Sequence, residues 1–285
     1  MISAYKDCGQ WARALEVVQE MKTAGAKLDA ATYSALISTC ERSNQWERAM
    51  EVFIEMQTTG VRADIWTYNT IIHSCAQAKQ WTQVWGLFEH LQLMGLQPNQ
   101  VTYNVLLDVL WEAGQHKLAI SYLRQALRNG HFGAVEPSGC ELDVHGLSVG
   151  SALACVLYWL VLLRRRATMQ ESGTSTQNEV PAEVKVITGW GKHSGRTNHQ
   201  SPVRKEVTEL LETMGSPFQM NTSNKGQLVA QGPLLWSWLR DEEGLGSMLE
   251  ELCGKNPIQD TDTLLTSVID PTLIPSSFPW STIRE

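Results

Sequence analysis

No C-x-x-C pair occurs in the chain, and its cysteines (Cys8, Cys40, Cys75, Cys140, Cys155 and Cys253) are scattered singly. That spacing argues against a structural zinc site or a dense disulfide framework and points to a reduced compartment. Long hydrophobic runs are also missing. The longest, Ser151 to Leu163, is followed by Arg164-Arg165-Arg166 and falls short of the roughly 18 apolar residues that span a bilayer. A buried helix is expected there, its basic end suiting the negative pole of the helix dipole, with no membrane partner. An excess of positive charge is the third absence, since the formal net charge is −7. Residues 1–139 carry 11 Lys and Arg against 13 Asp and Glu, residues 140–239 carry 9 against 8, and residues 240–285 carry 3 against 9. The acidity belongs to the C-terminal stretch, and the near-neutral remainder permits local basic patches. With 43% hydrophobic residues in 285, packed cores for one large or two ordinary domains are available.

What is present is a repeat. Gln10-Trp11, Gln45-Trp46, Gln80-Trp81 and Gln115-His116 recur every 35 residues, as do Thr32-Tyr33, Thr67-Tyr68 and Thr102-Tyr103. Gly25, Gly60, Gly95 and Gly130 share the register, and so do Ala14, Ala49 and Ala119, with Val84 the exception. A fixed period of this length signals a solenoid. Within one unit Tyr33, Leu36, Ile37 and Cys40 fall at helical spacing, Arg42 to Gln45 interrupts, and Trp46, Ala49, Met50, Phe53 and Met56 form a second stripe. Gly60 is expected to close that helix in the left-handed conformation. The Trp column is expected to pack between repeats rather than stack on bases.

Ala31–Asp64, Trp66–Asn99 and Val101–Gly130 resemble pentatricopeptide repeats. The related tetratricopeptide repeat has period 34 and a different signature, and the 35-residue spacing with Thr-Tyr-Asn openings argues against it. The resemblance implies an array over 1–134 (a partial first unit, then 30–64, 65–99 and 100–134). It implies organellar, single-stranded RNA-binding function, with one base read per repeat by the residue after the opening Tyr and the last residue of the unit. Those pairs are Ser34 with Asp64, Asn69 with Asn99, and Asn104 with Ala134; the family pattern implies guanine for the first and a pyrimidine for the second. Ala134 departs from the pattern, and the first unit keeps only Asp29. Ser, Asn and Asp also favour helix N-caps, so both readings stand here. Two well-defined bases at ~1–3 kcal/mol each do not select one transcript. Met1-Ile2-Ser3-Ala4-Tyr5 already lies inside a repeat, so an incomplete N-terminus is expected, with no targeting segment visible; either more repeats lie upstream or this stretch binds RNA loosely.

After a linker at 135–140 the pattern changes. Leu142-Asp143-Val144-His145 reads as a strand, Val149 to about Ala167 as a helix, and Val184–Ile187 as a second strand. Ser201-Pro202 then supplies N-cap and N1 of a helix to Met214. Phe218–Asn221 and Gln227–Ala230 form a hairpin around Asn224-Lys225-Gly226. The expected fold class is therefore an α-solenoid followed by a small two-layer α/β sandwich over 141–239. Leu142–Gly146, Thr188–Ser194, Ser201–Arg204 and Asn224–Gly226 resemble a small MutS-related (Smr) domain. The combination resembles the pentatricopeptide–Smr proteins of plants and algae, placing the chain in a chloroplast or mitochondrion.

Smr domains bind nucleic acid, and some cut DNA or RNA. Asp143 and His145 stand two apart on the expected strand and so share a face. A carboxylate beside an imidazole suits proton transfer, or a divalent cation such as Mg²⁺ with Asp143 as ligand. Gly189, Trp190, Gly191, Lys192, His193 and Arg204 are the phosphate-binding candidates, with Arg196 and Lys205 extending the rim. Thr188 stands where many bacterial members carry a His, which removes one acid–base group. Residues 240–285 read as an acidic tail with a short helix at Met248–Leu252. The expected partner is single-stranded RNA, with DNA a further substrate class for the Smr part, and no obligate oligomer. Cleavage, non-catalytic RNA binding and protein scaffolding are the alternative functions.

Overall fold

The computed structural model describes residues 10–133, 140–169, 180–189, 201–241 and 245–253. The chain divides into two compact units between Val109 and Leu110, inside one helix. The first unit holds α1 (Trp11–Thr23), α2 (Ala30–Arg42), α3 (Trp46–Thr58), α4 (Ile65–Gln77), α5 (Trp81–Leu93) and most of α6 (Gln100–Glu112).

Every one of these helices is 13 residues long, which follows from the identical stop and start signals in each unit. Gly60 has φ 78°; its N–H bonds the Gln57 carbonyl while Val61 N–H reaches back to Met56. That pattern satisfies two carbonyls left over at the helix end. The turn within the hairpin ends the same way at Asn44 (φ 54°), where Asn44 N–H bonds Glu41 and Gln45 N–H bonds Cys40. At the start of α2 and α4 the caps are Asp29 and Asp64. Asp64 Oδ1 accepts both the backbone N–H and the hydroxyl of Thr67, at 2.8 and 2.7 Å, and Asp29 does the same with Thr32. These bonds hold the Asp29 carboxyl below its usual range, the hydroxyl being the largest cause.

Tyr33, Leu36, Ile37 and Cys40 of α2 are buried, and so are Ala49, Phe53 and Met56 of α3, as the spacing predicts. Trp46 and Met50 are only half-buried. The aromatic centre of the array lies elsewhere: Phe53 meets Tyr68 edge-on at 5.1 Å between ring centroids, and one repeat later Phe88 meets Tyr103 at 5.3 Å. Such pairs add about 0.5–1.5 kcal/mol each beyond the area they bury. The Trp column opens the second helices, while Phe and Tyr join successive repeats. Polar fixtures accompany them. Tyr33 donates to Glu55 (2.9 Å), which also takes Lys22 (2.7 Å); one repeat on, the buried Tyr68 hydroxyl lies 2.7 Å from His90 Nδ1. Burial pushes the Cys40 and Cys75 thiols up to about 11 and about 12, so both behave as packing residues.

The second unit contains α7 (His116–Arg128), β1 (Glu141–Asp143), α8 (Val149–Met169), β2 (Glu183–Ile187), α9 (Pro202–Thr213), β3 (Gln219–Met220), β4 (Gln227–Gln231), α10 (Gly232–Leu239) and α11 (Ser247–Cys253). The strands form one sheet in the order β1-β2-β4-β3, with β1 parallel to β2 and the other pairs antiparallel. Leu142, Val186 and Leu228 stand in register, as do Val184 and Ala230. All five are buried, so the period-two alternation gives the sheet one apolar face. Strand β1 stops at Asp143, short of the expected His145, and α10 was not foreseen from the pattern. The Ser201 side chain makes no capping bond, although Pro202 does open α9.

The apolar run at 151–163 lies inside α8, and among the described residues no helix is long and apolar enough to cross a membrane. Its basic end is bonded within the unit: Arg164 donates to the carbonyls of Leu239 and Asp241, both at 2.7 Å. Helix α8 packs on α9, α10 and α7, and α11 packs on α7 and α8. Residues Ala119 to Arg124 of α7 are buried without a gap, which at 3.6 residues per turn covers the whole circumference. Helix α8 therefore occupies one face of the last repeat helix, where a further hairpin would otherwise stack.

Two outcomes follow. Asp64→Ala is expected to lower unfolding stability by about 1 kcal/mol, the usual cost of a lost N-cap, read from urea melts of the whole chain. Burial lowers the folded-state pKa of His90, so its neutral form favours the fold. That contribution is complete above the unfolded value of about 6.5 and is lost as pH falls, because the unfolded chain takes up the proton first. Melting temperatures measured from pH 7.5 down to 5.5 are expected to fall, and less steeply in His90→Gln.

Candidate nucleic-acid interface

The residues expected to pair across repeats are joined by contacts one repeat apart. Ser34 on α2 and Asn69 on α4 are half-buried, while Asp64 and Asn99 are exposed. Thr67 lies between the first pair, its hydroxyl 2.7 Å from Ser34 Oγ and 2.7 Å from Asp64 Oδ1. Thr102 takes the corresponding place, 2.7 Å from Asn69 Oδ1 and 3.0 Å from Asn99 Oδ1. Asn69 Nδ2 also donates directly to Asn99 Oδ1 at 3.4 Å. Both Thr side chains are buried, each 1% exposed. Asp64 and Asn99 thus act as helix caps, and they are joined to Ser34 through Thr67 and to Asn69 both through Thr102 and directly. Asn104 is half-buried on α6, and Ala134 lies outside the described residues.

The surface beside these pairs contains two side chains that the sequence reading passed over. Trp66 and Val101 are 48% and 58% exposed, although large apolar groups usually find cover. Each directly precedes the Thr-Tyr of its unit, in a column completed by Ala31. The 35-residue alignment contained that signal. It was obscured because an apolar residue beside a helical stripe reads as core.

In the second unit, the ends of β1, β2 and the start of β4 meet. His145 Nδ1 lies 2.6 Å from Asp143 Oδ1, which also accepts the His145 backbone N–H at 3.0 Å. An ionised carboxylate only accepts, so the ring proton sits on Nδ1 and Nε2 keeps its lone pair. Both side chains are well exposed, 65% for His145 and 49% for Asp143, and an exposed pair contributes little to stability. Gly189 (φ 78°) stands against this pair, and a Cβ there would come 3.2 Å from His145 Cβ. The Gly189 and Thr188 N–H groups are both donated to the Gly226 carbonyl, at 3.2 and 2.9 Å. Arg204, expected on the cationic rim, is 8% exposed and donates to the Lys225 carbonyl at 3.1 Å. It braces the Asn224–Gly226 turn. Trp190, Gly191, Lys192, His193 and Arg196 lie outside the described residues, and Lys205 pairs with Glu206 and Glu209 on α9.

The donor set fits a divalent cation poorly. Hard cations want several oxygens, whereas here one carboxylate oxygen is already shared by two N–H groups. Among the described residues no group of three or more His, Cys, Asp or Glu is placed to hold a metal.

Family models described as PPR repeat match residues 1–42, 35–77, 63–112 and 101–131. The pentatricopeptide repeat-containing protein At2g17033 of Arabidopsis thaliana is 31% identical over 99 residues, 35% of this chain and 18% of that protein. At3g18110, chloroplastic, from the same plant is 34% identical over 139 residues, 47% of this chain and 9% of that protein. The chain therefore spans less than a fifth of the length of these relatives. A crystal structure of the pentatricopeptide repeat protein PPR10, from maize, in complex with an 18-nt psaJ RNA element is 19% identical, with 88% of this chain and 42% of that one covered at a TM-score of 0.43. The period, the hairpins and the matched segments agree: residues 1–131 are similar to pentatricopeptide repeats, with plant proteins among the matching relatives.

Proposed function

We propose that the array binds single-stranded RNA and reads two successive bases through Ser34 with Asp64 and Asn69 with Asn99. The observation that carries this reading is the junction itself, where short polar groups from neighbouring repeats converge on partly exposed positions. Splayed bases of a single strand offer their Watson–Crick edges to such groups. Trp66 and Val101 add apolar surface against which a base can stack. As part of a longer protein, the array would serve RNA processing or stabilisation in a chloroplast or mitochondrion; the relative labelled chloroplastic supports that location.

The second unit is, on this reading, a two-layer Smr-like domain that contacts RNA at the end of the sheet holding Asp143, His145 and Gly189. The reaction is written without a metal, because the donor set does not fit one. His145 Nε2 takes the proton of a ribose 2′-hydroxyl while Asp143 orients the ring through Nδ1. The 2′-oxygen bonds to the adjacent phosphorus and the phosphorus–5′-oxygen bond breaks. A cyclic phosphate and a 5′-hydroxyl remain, the leaving oxygen taking its proton from water. DNA lacks the attacking oxygen and would be bound without being cut.

Two assays test these parts separately. In titrations with short single-stranded RNAs, Ser34→Ala and Asn69→Ala are expected to cost roughly 1–3 kcal/mol of discrimination each at neighbouring bases, and affinity should fall with salt. Unchanged RNA binding in both variants would instead favour a protein scaffold. Incubation of the full chain with RNA, with and without chelator, is expected to give the cyclic-phosphate product in both cases. Asp143→Asn and His145→Ala should yield none; binding without product in the unsubstituted chain would mark the unit as a non-catalytic binder.

A further inference from the structure

A hydroxyl group has one proton to give, and at each repeat junction its destination is determined by its neighbours. Thr67 Oγ1 lies 2.7 Å from Asp64 Oδ1. An aspartate at neutral pH accepts only, so the Thr67 proton points at it. The 2.7 Å contact between Ser34 and Thr67 must then run the other way, with Ser34 donating. Ser34 has spent its proton, and what it presents outward is lone pairs. Asp64 likewise presents its second oxygen. The junction is an acceptor-only surface.

At the next junction the same residue acts in reverse. The backbone N–H of Thr102 donates to Asn99 at 3.0 Å, which identifies the bonded atom as the amide oxygen. Asn69 donates to that oxygen through Nδ2, so its own oxygen faces Thr102, 2.7 Å away. Turning the Asn69 amide round would set two oxygens against each other. The Thr102 hydroxyl has two acceptors in reach, Asn69 Oδ1 at 2.7 Å and Asn99 Oδ1 at 3.0 Å. The Asn99 oxygen already takes two N–H groups, so the proton goes to the nearer Asn69 oxygen, while the Thr102 oxygen accepts the Asn99 backbone N–H at 3.2 Å. The groups left to face outward are the second Nδ2–H of Asn69 and the amide nitrogen of Asn99. This junction is a donor surface.

We infer that Thr67 and Thr102 are positioning residues that set the hydrogen-bond polarity of the reading pairs. An acceptor-only pair takes a base edge with adjacent donors, which guanine presents at N1–H and N2–H₂. A donor pair takes an edge with acceptors, such as the O2 common to both pyrimidines. The threonine touches no base; it commits the protons of the groups that do. This rests on the RNA-reading function above and adds a specificity determinant buried beneath the contact surface.

The test uses the full chain and short single-stranded RNAs in which guanine is replaced by adenine and, separately, the neighbouring pyrimidine by a purine. Thr67→Val keeps the shape and the backbone cap bond but frees the Ser34 proton. The guanine-over-adenine affinity ratio is expected to fall about tenfold, within the usual range for one base-edge contact, while Thr67→Ser retains it. Thr102→Val is expected to lower the pyrimidine-over-purine ratio and leave the guanine ratio alone. Helical circular dichroism and melting temperature report folding, which a merely structural threonine would change without moving a ratio. Equal binding of all RNAs by the unsubstituted chain would remove the RNA-reading function and this inference with it. Discrimination that survives in folded Thr67→Val overturns the inference alone. If Thr67→Val does not fold, Thr102→Val decides at its own junction; unfolding of both would make these hydroxyls caps and nothing more.

Discussion

The hydrogen bond from a threonine to the helix-capping side chain three residues before it is the constraint on which the array turns. Thr67 and Thr102 each sit in the first turn of a helix, where an unsatisfied N–H needs an acceptor. The cap supplies one in both, and at Thr67 the hydroxyl doubles the attachment. Because the same hydroxyl reaches Ser34 or Asn69 of the preceding repeat, starting one helix also fixes a face of the first helix of the repeat before it. Local helix formation and repeat stacking are thereby coupled through a single buried oxygen.

Around that contact the aromatic pairs Phe53–Tyr68 and Phe88–Tyr103 supply the nonpolar share of the same junctions. They are buried and carry no polar function toward solvent. The division of labour is physical: large rings hold successive hairpins in register, and that register leaves small polar groups near the surface at fixed intervals.

The second unit reaches its geometry by a different route. The parallel pairing of β1 with β2 places the chain reversals after Asp143 and after Ile187 at the same end of the sheet. Antiparallel β4 begins there as well. Segments more than 40 residues apart along the sequence, at 143–145 and 188–189, are neighbours for that reason alone. Arg204, on a helix entering the same region, is consumed in bracing the turn, which leaves the exposed Asp143–His145 pair as the polar feature described at this end.

Periodicity alone determined the helical hairpins and the left-handed closure at Gly60; the pairs Ser34–Asp64 and Asn69–Asn99 came from the resemblance to a repeat family. Hairpins and closure follow from local backbone preference or from a register that repeats. The same reasoning extended β1 to His145 and missed α10. It also left Trp66 and Val101 without a role. Burial and capping depend on what arrives from elsewhere in the chain, and residue type records only a tendency. Tertiary structure alone decided which rings are enclosed, that Arg204 faces a carbonyl, and where the hydroxyl protons of Thr67 and Thr102 go. A proton is allocated by the donors and acceptors within about 3 Å, and here one of them, Ser34 or Asn69, comes from the preceding repeat, 33 positions away.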